Sequence, residues 1–297
     1  MSILFDDFKS WKKECEENNF PLYLPVLTYE IVQKGRTEEE IWGGLLYAYA
    51  VMRDAVQTGL TQDTTSRSGM IDNGGKKVYN YPIDVLSPAF KKLIARALAA
   101  KEVNSCMGRI VAAPTAGASG IMPGILVTLQ EIHQIDDQKM LEAMLVSAGI
   151  ALIIERNASI AGAVGGCQAE TGTAAAMGAG AVVYALGGSV NQVFSAVAIT
   201  IQCMLGLVCD PVAGLVEVPC VVRNASAAAI AYSSAQIALA NVNAVIPVDE
   251  CIAAMGEIGQ AMEDRYKETA LGGLAMTPTG QQISKRVLIT DIDVLEE

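Results

Sequence analysis

Apolar residues recur along this chain at intervals of three and four, the spacing that gathers them on one side of an α-helix. In "TEEEIWGGLLYAYAVMRDAV" Ile41, Leu45, Ala48, Met52 and Ala55 share a face, and Thr37 with Glu40 forms a capping box that starts the helix. "SPAFKKLIARALAAKEV" opens with Ser87 in the N-cap place and Pro88 at the first helical position. Leu141, Leu145, Ala148 and Leu152 continue the pattern, as do Ile252, Met255, Gly259 and Met262. No stretch sustains the alternation of a strand, and no hairpin dipeptide separates two alternating runs. The best strand candidate, "GKKVYNYPI", is short. The pattern therefore predicts an all-α fold, a multi-helix domain with buried Ala/Gly-rich helices. No linker, repeat or low-complexity segment divides residues 1–297, so one domain is expected.

Composition narrows the function classes. The chain has 297 residues, 52% of them hydrophobic and only 5% aromatic, enough for one large core. Its net charge of −11 and lack of a basic stretch argue against nucleic acid as a partner. A mean hydropathy of +0.34 raises the question of a membrane. The best span, "VFSAVAITIQCMLGLVC" (193–209), contains Gln202 and falls short of the roughly 20 residues a crossing needs. "TGTAAAMGAGAVVYALGG" is long enough but consists mostly of Ala and Gly, weak drivers of insertion. Tightly packed interior helices explain both, and no membrane partner is expected. The N-terminal "MSILFDDFKSWKKECEENNF" lacks the basic, apolar, small-residue order of a signal peptide. The expected location is the cytoplasm, where the seven cysteines stay reduced.

Charge is sparse where it matters most. Between Asn157 and Val248 the only charged residues are Glu170, Asp210, Glu217 and Arg223. Glu170 follows Cys167 by three residues, Asp210 directly follows Cys209, and Glu217 and Arg223 flank Cys220 at three residues on either side. Charges in an apolar region are costly unless paired, hydrogen-bonded or beside a metal. Their company with cysteines suggests a polar site sunk in a helical core; loop ends that carry both residue types by chance would give the same pattern.

Cys167, Cys209 and Cys220 all lie at glycine- or proline-marked breaks, where backbone approaches a ligand closely. Cys203 and Cys251 fall within helical patterns and read as small core residues, and Cys15 as part of an amphipathic surface helix. Cys106, in "NSCMGR", stays an outside candidate. Three thiolates without a nearby histidine suit an iron–sulfur cluster better than tetrahedral zinc, although the spacing is not a compact CxxC pattern. A cluster held by three cysteines leaves one iron free to act as a Lewis acid. "APTAGASGIMPG" (113–124) is a donor-rich turn ahead of an apolar helix, a setting that favours a carboxylate or phosphate. The single histidine, His133, lies among acids at a helix end and reads as solvated. A reaction needing a general base near neutral pH must then use Lys, a carboxylate or another chain.

"RIVAAPTAGASGIMPG", "GGCQAETGTAAAMGAGA", "CDPVAGLVEVPCVVRNA" and "RYKETALGGLAMTPTG", in this order, resemble the alpha subunit of iron–sulfur-dependent L-serine dehydratases. The resemblance runs from about Val51 to Gly280. It implies a helical catalytic subunit with an oxygen-sensitive [4Fe–4S] cluster on Cys167, Cys209 and Cys220, and a carboxylate-gripping turn at residues 115–120. Thr115, Gly117, Ser119, Arg109 and Lys267 are then the expected substrate contacts, with Lys267 and Arg109 equally readable as structural ion pairs. Arg223 carries the same ambiguity, readable as a substrate contact or as the group that neutralises Glu217.

There are departures. Ala116 stands where many relatives have Asn, and Val164 and Gly165 where many have Glu. The end reads "ITDIDVLEE" with no cysteine, so solvent or a small ligand is expected on the fourth iron. The family's proposed base, a histidine in an "SSHT"-type motif of the smaller beta part, is absent, which a separate beta subunit would explain.

The resemblance thus implies a lyase that assists loss of the β-hydroxyl of L-serine at the open iron, while a base removes the α-proton. Aminoacrylate then gives pyruvate and ammonia. Two rivals stand beside it: a related cluster lyase for L-threonine or L-cysteine, and a non-enzymatic helical partner or membrane carrier subunit.

Overall fold

Short side chains on one central helix set the plan of the molecule. The computed structural model describes residues 5–295, with side chains to residue 287, so "ITDIDVLEE" lies outside the described side chains. The first half of the chain forms α1 (Phe8–Asn18), α2 (Leu24–Lys34), α3 (Glu38–Thr61), α4 (Gly74–Asn80) and α5 (Pro88–Ser105). After the turn at residues 115–120 come α6 (Ile121–His133), α7 (Asp137–Asn157) and the single-turn α8 (Gly162–Gly165). A π-helical turn, Gln168–Gly172, leads into α9 (Thr173–Ala185). Then follow α10 (Val190–Met204), α11 (Cys220–Leu239), α12 (Val248–Ala261) and α13 (Pro278–Leu295).

Every residue of α9 is buried, and α6, α7, α10 and α11 pack around it. Its glycines make that possible. A Cβ on Gly178 would come within 2.2 Å of Ile125 Cδ1, and one on Gly180 within 2.3 Å of Ile150 Cδ1. The Ala/Gly run is thus an interior helix, and among the described residues no helix is long and apolar enough to cross a membrane. A second hub, α5, packs against α3, α4, α6 and α11.

The starts of the helices follow the sequence closely. Glu40 N donates to Thr37 Oγ1 at 3.2 Å and Thr37 N to Glu40 Oε2 at 2.8 Å, closing the capping box of α3. Ser87 Oγ accepts from Phe90 N at 3.3 Å at the head of α5. Ile41, Met52 and Ala55 point inward on α3. On α7 Leu141 and Leu145 are buried, whereas Ala148 of the same expected stripe is exposed.

Three expectations need correction. "GKKVYNYPI" is no strand: Gly74–Asn80 is helical, because the buried Glu102 carboxylate accepts Gly74 N at 2.7 Å and Gly75 N at 3.0 Å and anchors the helix start. No strand forms among the described residues, whose one sheet-like pairing is a parallel bridge between Cys209 and Lys267. Cys203 is exposed on α10 rather than in the core, whereas Cys251 is buried as expected. Cys15 faces inward on the amphipathic α1, beside the buried Phe8 and Trp11.

Close helix contact gives a direct test. A Cβ on Gly59 of α3 would meet the Ala99 carbonyl oxygen of α5 at 2.2 Å, and backbone cannot step aside. Gly59→Ala should cost about 1–3 kcal/mol in urea unfolding. Gly43→Ala, on the exposed side of the same helix with nothing within 4 Å, should be neutral or gain up to about 1 kcal/mol.

Candidate active site

The segment between α10 and α11 leaves helical geometry at Gly206 and carries Cys209 across the molecule. Cys209 N donates to Tyr266 O at 2.8 Å, and Glu268 N donates to Cys209 O at 3.1 Å. Two backbone bonds therefore hold this thiol against the stretch around Lys267. Next to it, Asp210 accepts from Leu274 N at 2.8 Å and pairs with Arg223 at 2.9 Å, while Arg223 also donates to Val208 O at 2.8 Å. Arg223 thus neutralises Asp210, not Glu217. Glu217 is satisfied by neutral donors instead, accepting from Ser66 Oγ at 2.7 Å and Ser68 Oγ at 2.5 Å.

Cys220 is the first residue of α11, where the helix dipole favours a thiolate. Cys167 directly precedes the π-helical turn, and its Sγ lies 2.8 Å from Thr171 Oγ1. Such turns are rare and recur at functional sites; this one also swings Glu170 inward. All three thiols are buried and free of disulfides. Burial pushes the Cys220 thiol up to about 12 and Cys209 higher still, and the charge of Cys167 adds to both. Burial likewise raises Cys167.

Among the described residues no three His, Cys, Asp or Glu side chains are arranged to hold one metal ion. A single zinc ion needs its sulfurs on the order of 4 Å apart. A four-iron cluster takes each thiolate on a separate iron and spreads them wider. Cys167, Cys209 and Cys220 act on one another electrostatically, and no histidine stands with them.

The turn at residues 115–120 sits beside them. Thr115 Oγ1 donates to Glu170 Oε1, and a Cβ on Gly117 would fall on the Glu170 carboxylate, 2.4 Å from either oxygen. Gly162 is pressed from the other side: its Cβ would meet Glu268 Oε2 at 3.2 Å, Cys209 Sγ at 3.5 Å and Glu170 Oε2 at 3.7 Å. Glu170 therefore bridges the turn and the thiols. Burial holds its carboxyl above the usual range, the Thr115 hydrogen bond and Lys101 pull it back, and Glu268 pushes it further up.

Asn224 fastens the two parts together. Its Oδ1 accepts Gly120 N at 2.9 Å, and its Nδ2 donates to the carbonyls of Gly117 and Cys220, both at 2.9 Å. Ala118 N and Ser119 N are used inside the turn. The Ser119 hydroxyl, wholly enclosed, has no hydrogen-bond partner. Buried hydroxyls are rarely left so. A cavity of about 790 Å³ opens on Ala116 and Gly117, with Ser68, Asn104 and Glu217 in its walls.

The other expected contacts divide. Lys267 is largely buried and near Cys209 through the backbone, with its ammonium 3.7 Å from Asp264. Arg109 is not brought to the turn: it is exposed and pairs with Asp54 at 3.2 Å. His133 ends α6 in solvent, and Cys106 lies half-buried past the end of α5. Sequence reasoning missed Asn224 and Lys101, a lysine of α5 with no exposed surface. Asn224 had a faint signal, an amide in the Ala-rich helical run after Arg223. Lys101 had none, because Lys-Glu at a helix end reads as surface.

A family model described as serine dehydratase alpha chain matches residues 17–275. The chain is 45% identical over 277 residues to the L-serine dehydratase, alpha chain, of Peptoniphilus asaccharolyticus, covering 92% of this chain and 95% of that one. It is 42% identical over 287 residues to the probable L-serine dehydratase, alpha chain, of Bacillus subtilis, covering 96% and 95%. An L-serine dehydratase of Streptomyces coelicolor is 37% identical over 262 residues, 86% of this chain but only 57% of that longer one.

The Asn224 staple is testable without any ligand. Asn224→Leu keeps the volume but strands Gly120 N–H and removes a donor from two carbonyls. Each stranded buried group should cost roughly 1–3 kcal/mol, read as a lower urea midpoint. Asn18→Ala, on exposed α1 backbone contacts, should change little.

Proposed function

This chain belongs to the serine dehydratase alpha chain family, and we propose that it is the alpha subunit of an iron–sulfur L-serine dehydratase. The reaction is the elimination of water from L-serine to give pyruvate and ammonia. One observation carries the reading: Asn224 ties the turn at residues 115–120, with its unpaired Ser119 hydroxyl, to the helix that begins at Cys220.

Cys167, Cys209 and Cys220 would hold a [4Fe–4S] cluster. Bound there with three protein thiolates, it supplies a Lewis-acidic iron for the departing β-hydroxyl. The rest falls to the chain's own groups. Ser119 offers the turn's uncommitted hydroxyl to the substrate carboxylate, with the Gly117 backbone beside it and the start of α6 behind. Thr115 acts through Glu170, which it orients by its hydrogen bond. Lys267 adds positive charge near Cys209, and Arg109 at the surface has no part. The cavity beside Ala116 and Gly117 gives the substrate access.

No histidine of this chain stands at the site, since His133 ends α6 in solvent. A base from a beta subunit, a histidine, takes the α-proton as the β-hydroxyl leaves with a proton as water. The aminoacrylate so formed tautomerises and adds water to give pyruvate and ammonia. The protein works in the cytoplasm, where thiols stay reduced.

Cys167→Ser, Cys209→Ser and Cys220→Ser should each lose iron, measured by absorbance and iron content after anaerobic purification, whereas Cys203→Ser and Cys251→Ser keep it. A full cluster in any of the first three would end the assignment. Air should abolish activity before the protein unfolds, with part restored by ferrous iron and thiol.

The missing base gives a separate test. His133→Gln should leave the assembled enzyme within a few-fold of the parent, against the roughly 100- to 10,000-fold loss expected on removing a true general base. The chain alone should release little ammonia from L-serine until a beta chain is added. Full turnover without one would place the base in this chain.

A further inference from the structure

Glu217 is a buried carboxylate that no cation meets. It stands just ahead of α11 with 7% of its surface exposed, and its backbone carbonyl accepts Val221 N at 2.9 Å. Among the described residues its side chain has no ion-pair partner. Arg223, the nearest cation along the chain, is committed to Asp210, and Lys101 donates to Asn104 Oδ1 and the Ala116 carbonyl.

The hydrogen bonds of this side chain come from one turn between α3 and α4, and all go to one oxygen. Ser66 Oγ and Ser68 Oγ donate to Glu217 Oε2 at 2.7 and 2.5 Å. Each hydroxyl has one proton to give and is itself held by a backbone donor. Ile71 N donates to Ser66 Oγ at 3.2 Å, and Met70 N to Ser68 Oγ at 3.0 Å. The hydroxyls are therefore aimed, and they aim the carboxylate. Its other oxygen, Oε1, has no donor among the described residues, yet it is not sealed in as the Ser119 hydroxyl is. Buried charged acceptors left without a donor are costly.

Glu217 lines the cavity of about 790 Å³ that opens on Ala116 and Gly117. The two sides of that cavity are tied to one helix start. Asn224 joins Gly117 to Cys220, and Val221, the next residue of α11, holds the Glu217 carbonyl. Arg67 and Arg286 share the wall with partners of their own, Arg286 donating to Ser68 O at 3.3 Å. One side of the cavity thus offers donors to an anion, and another offers a carboxylate without a counter-charge. An amino acid carries the complementary pair of groups on a single carbon.

Resting on the dehydratase reading above, we propose that Glu217 binds the α-ammonium of the substrate through Oε1 and so selects 2-amino acids over 2-hydroxy acids. The turn takes the carboxylate and Glu217 the ammonium. Two anchored groups on one carbon also fix the direction of its hydrogen. A hydroxyl in place of the ammonium would give a neutral hydrogen bond and leave the carboxylate's charge unmatched. An ammonium bound there occupies Glu217, which removes it as an acceptor for the α-proton.

Glu217→Gln keeps the shape and an oxygen for the two serines but removes the charge. The iron-loaded enzyme, assembled with its beta chain, is compared with the parent on L-serine. Inhibition by glycerate, in which a hydroxyl replaces the ammonium, is measured beside it. KM for L-serine should rise about 10- to 100-fold, the scale of a hydrogen bond to a charged group, with kcat within a few-fold. Glycerate should inhibit the variant at least as well as the parent. Glu217→Asp, which keeps the charge on a shorter stem, should recover part of the KM.

An unchanged KM would overturn the proposal. So would glycerate inhibition that weakens in step with the rise in KM, or an iron-free variant whose urea midpoint falls well below the parent's. Glu217 would then only brace the turn at residues 66–71. A parent enzyme that releases no ammonia from L-serine would instead overturn the dehydratase reading, and this assignment with it.

Discussion

Helix α9 has no polar side to turn toward water, so every face of it must be met by another helix. Ala and Gly let α6, α7, α10 and α11 close to within a methyl group of its backbone, and that closeness leaves the helix no freedom to slide. Because α9 begins at the π-helical turn, its position also fixes where Cys167 and Glu170 project. The apolar core and the polar site are therefore one construction. A bulkier central helix would push its neighbours out and move the thiol and the carboxylate together.

Inside that core each charge is handled locally. Asp210 has Arg223 and a backbone N–H, Glu217 has two serine hydroxyls, and Glu170 has Thr115. Glu102 spends its carboxylate on the first N–H groups of α4. These arrangements cost little in a medium where an unmatched charge is expensive. The three thiols and Lys101 stand apart. The thiols are driven to stay neutral, and the lysine has only an amide and a carbonyl in contact.

The sequence made the helices legible because period and caps are local. Thr37, Glu40 and Ser87 act within four residues of themselves, and Ile41, Met52 and Ala55 needed only a regular helix to point inward. The thiols were legible for another reason: glycine and proline mark the breaks on which they sit. What failed depends on distant partners. "GKKVYNYPI" has the residues of a short strand, and Glu102, 27 to 28 positions onward, anchors its start as a helix. Arg223 lies nearer Glu217 than Asp210 along the chain, yet the fold pairs it with Asp210. Arg109 lies next to the turn's segment in sequence yet faces Asp54 in solvent. Lys101 was invisible, since nothing in "AAKEVNS" reveals that α3, α4, α6 and α11 all close over α5.

The same accounting bears on why a second chain belongs in the reading. A base for the α-proton needs a free acceptor at the mouth of the turn. Glu170 is occupied by Thr115 and enclosed, and Glu217 by its two serines. Lys101 lies behind the turn and donates to Asn104 Oδ1 and the Ala116 carbonyl. Lys267 is drawn toward Asp264. Glu268 is exposed and close to Cys209 across Gly162. Apart from it, each candidate in this chain is committed to contacts that hold the site together. The cavity at Ala116 and Gly117 remains open on the outer side, which is the side from which another polypeptide has room to present an imidazole.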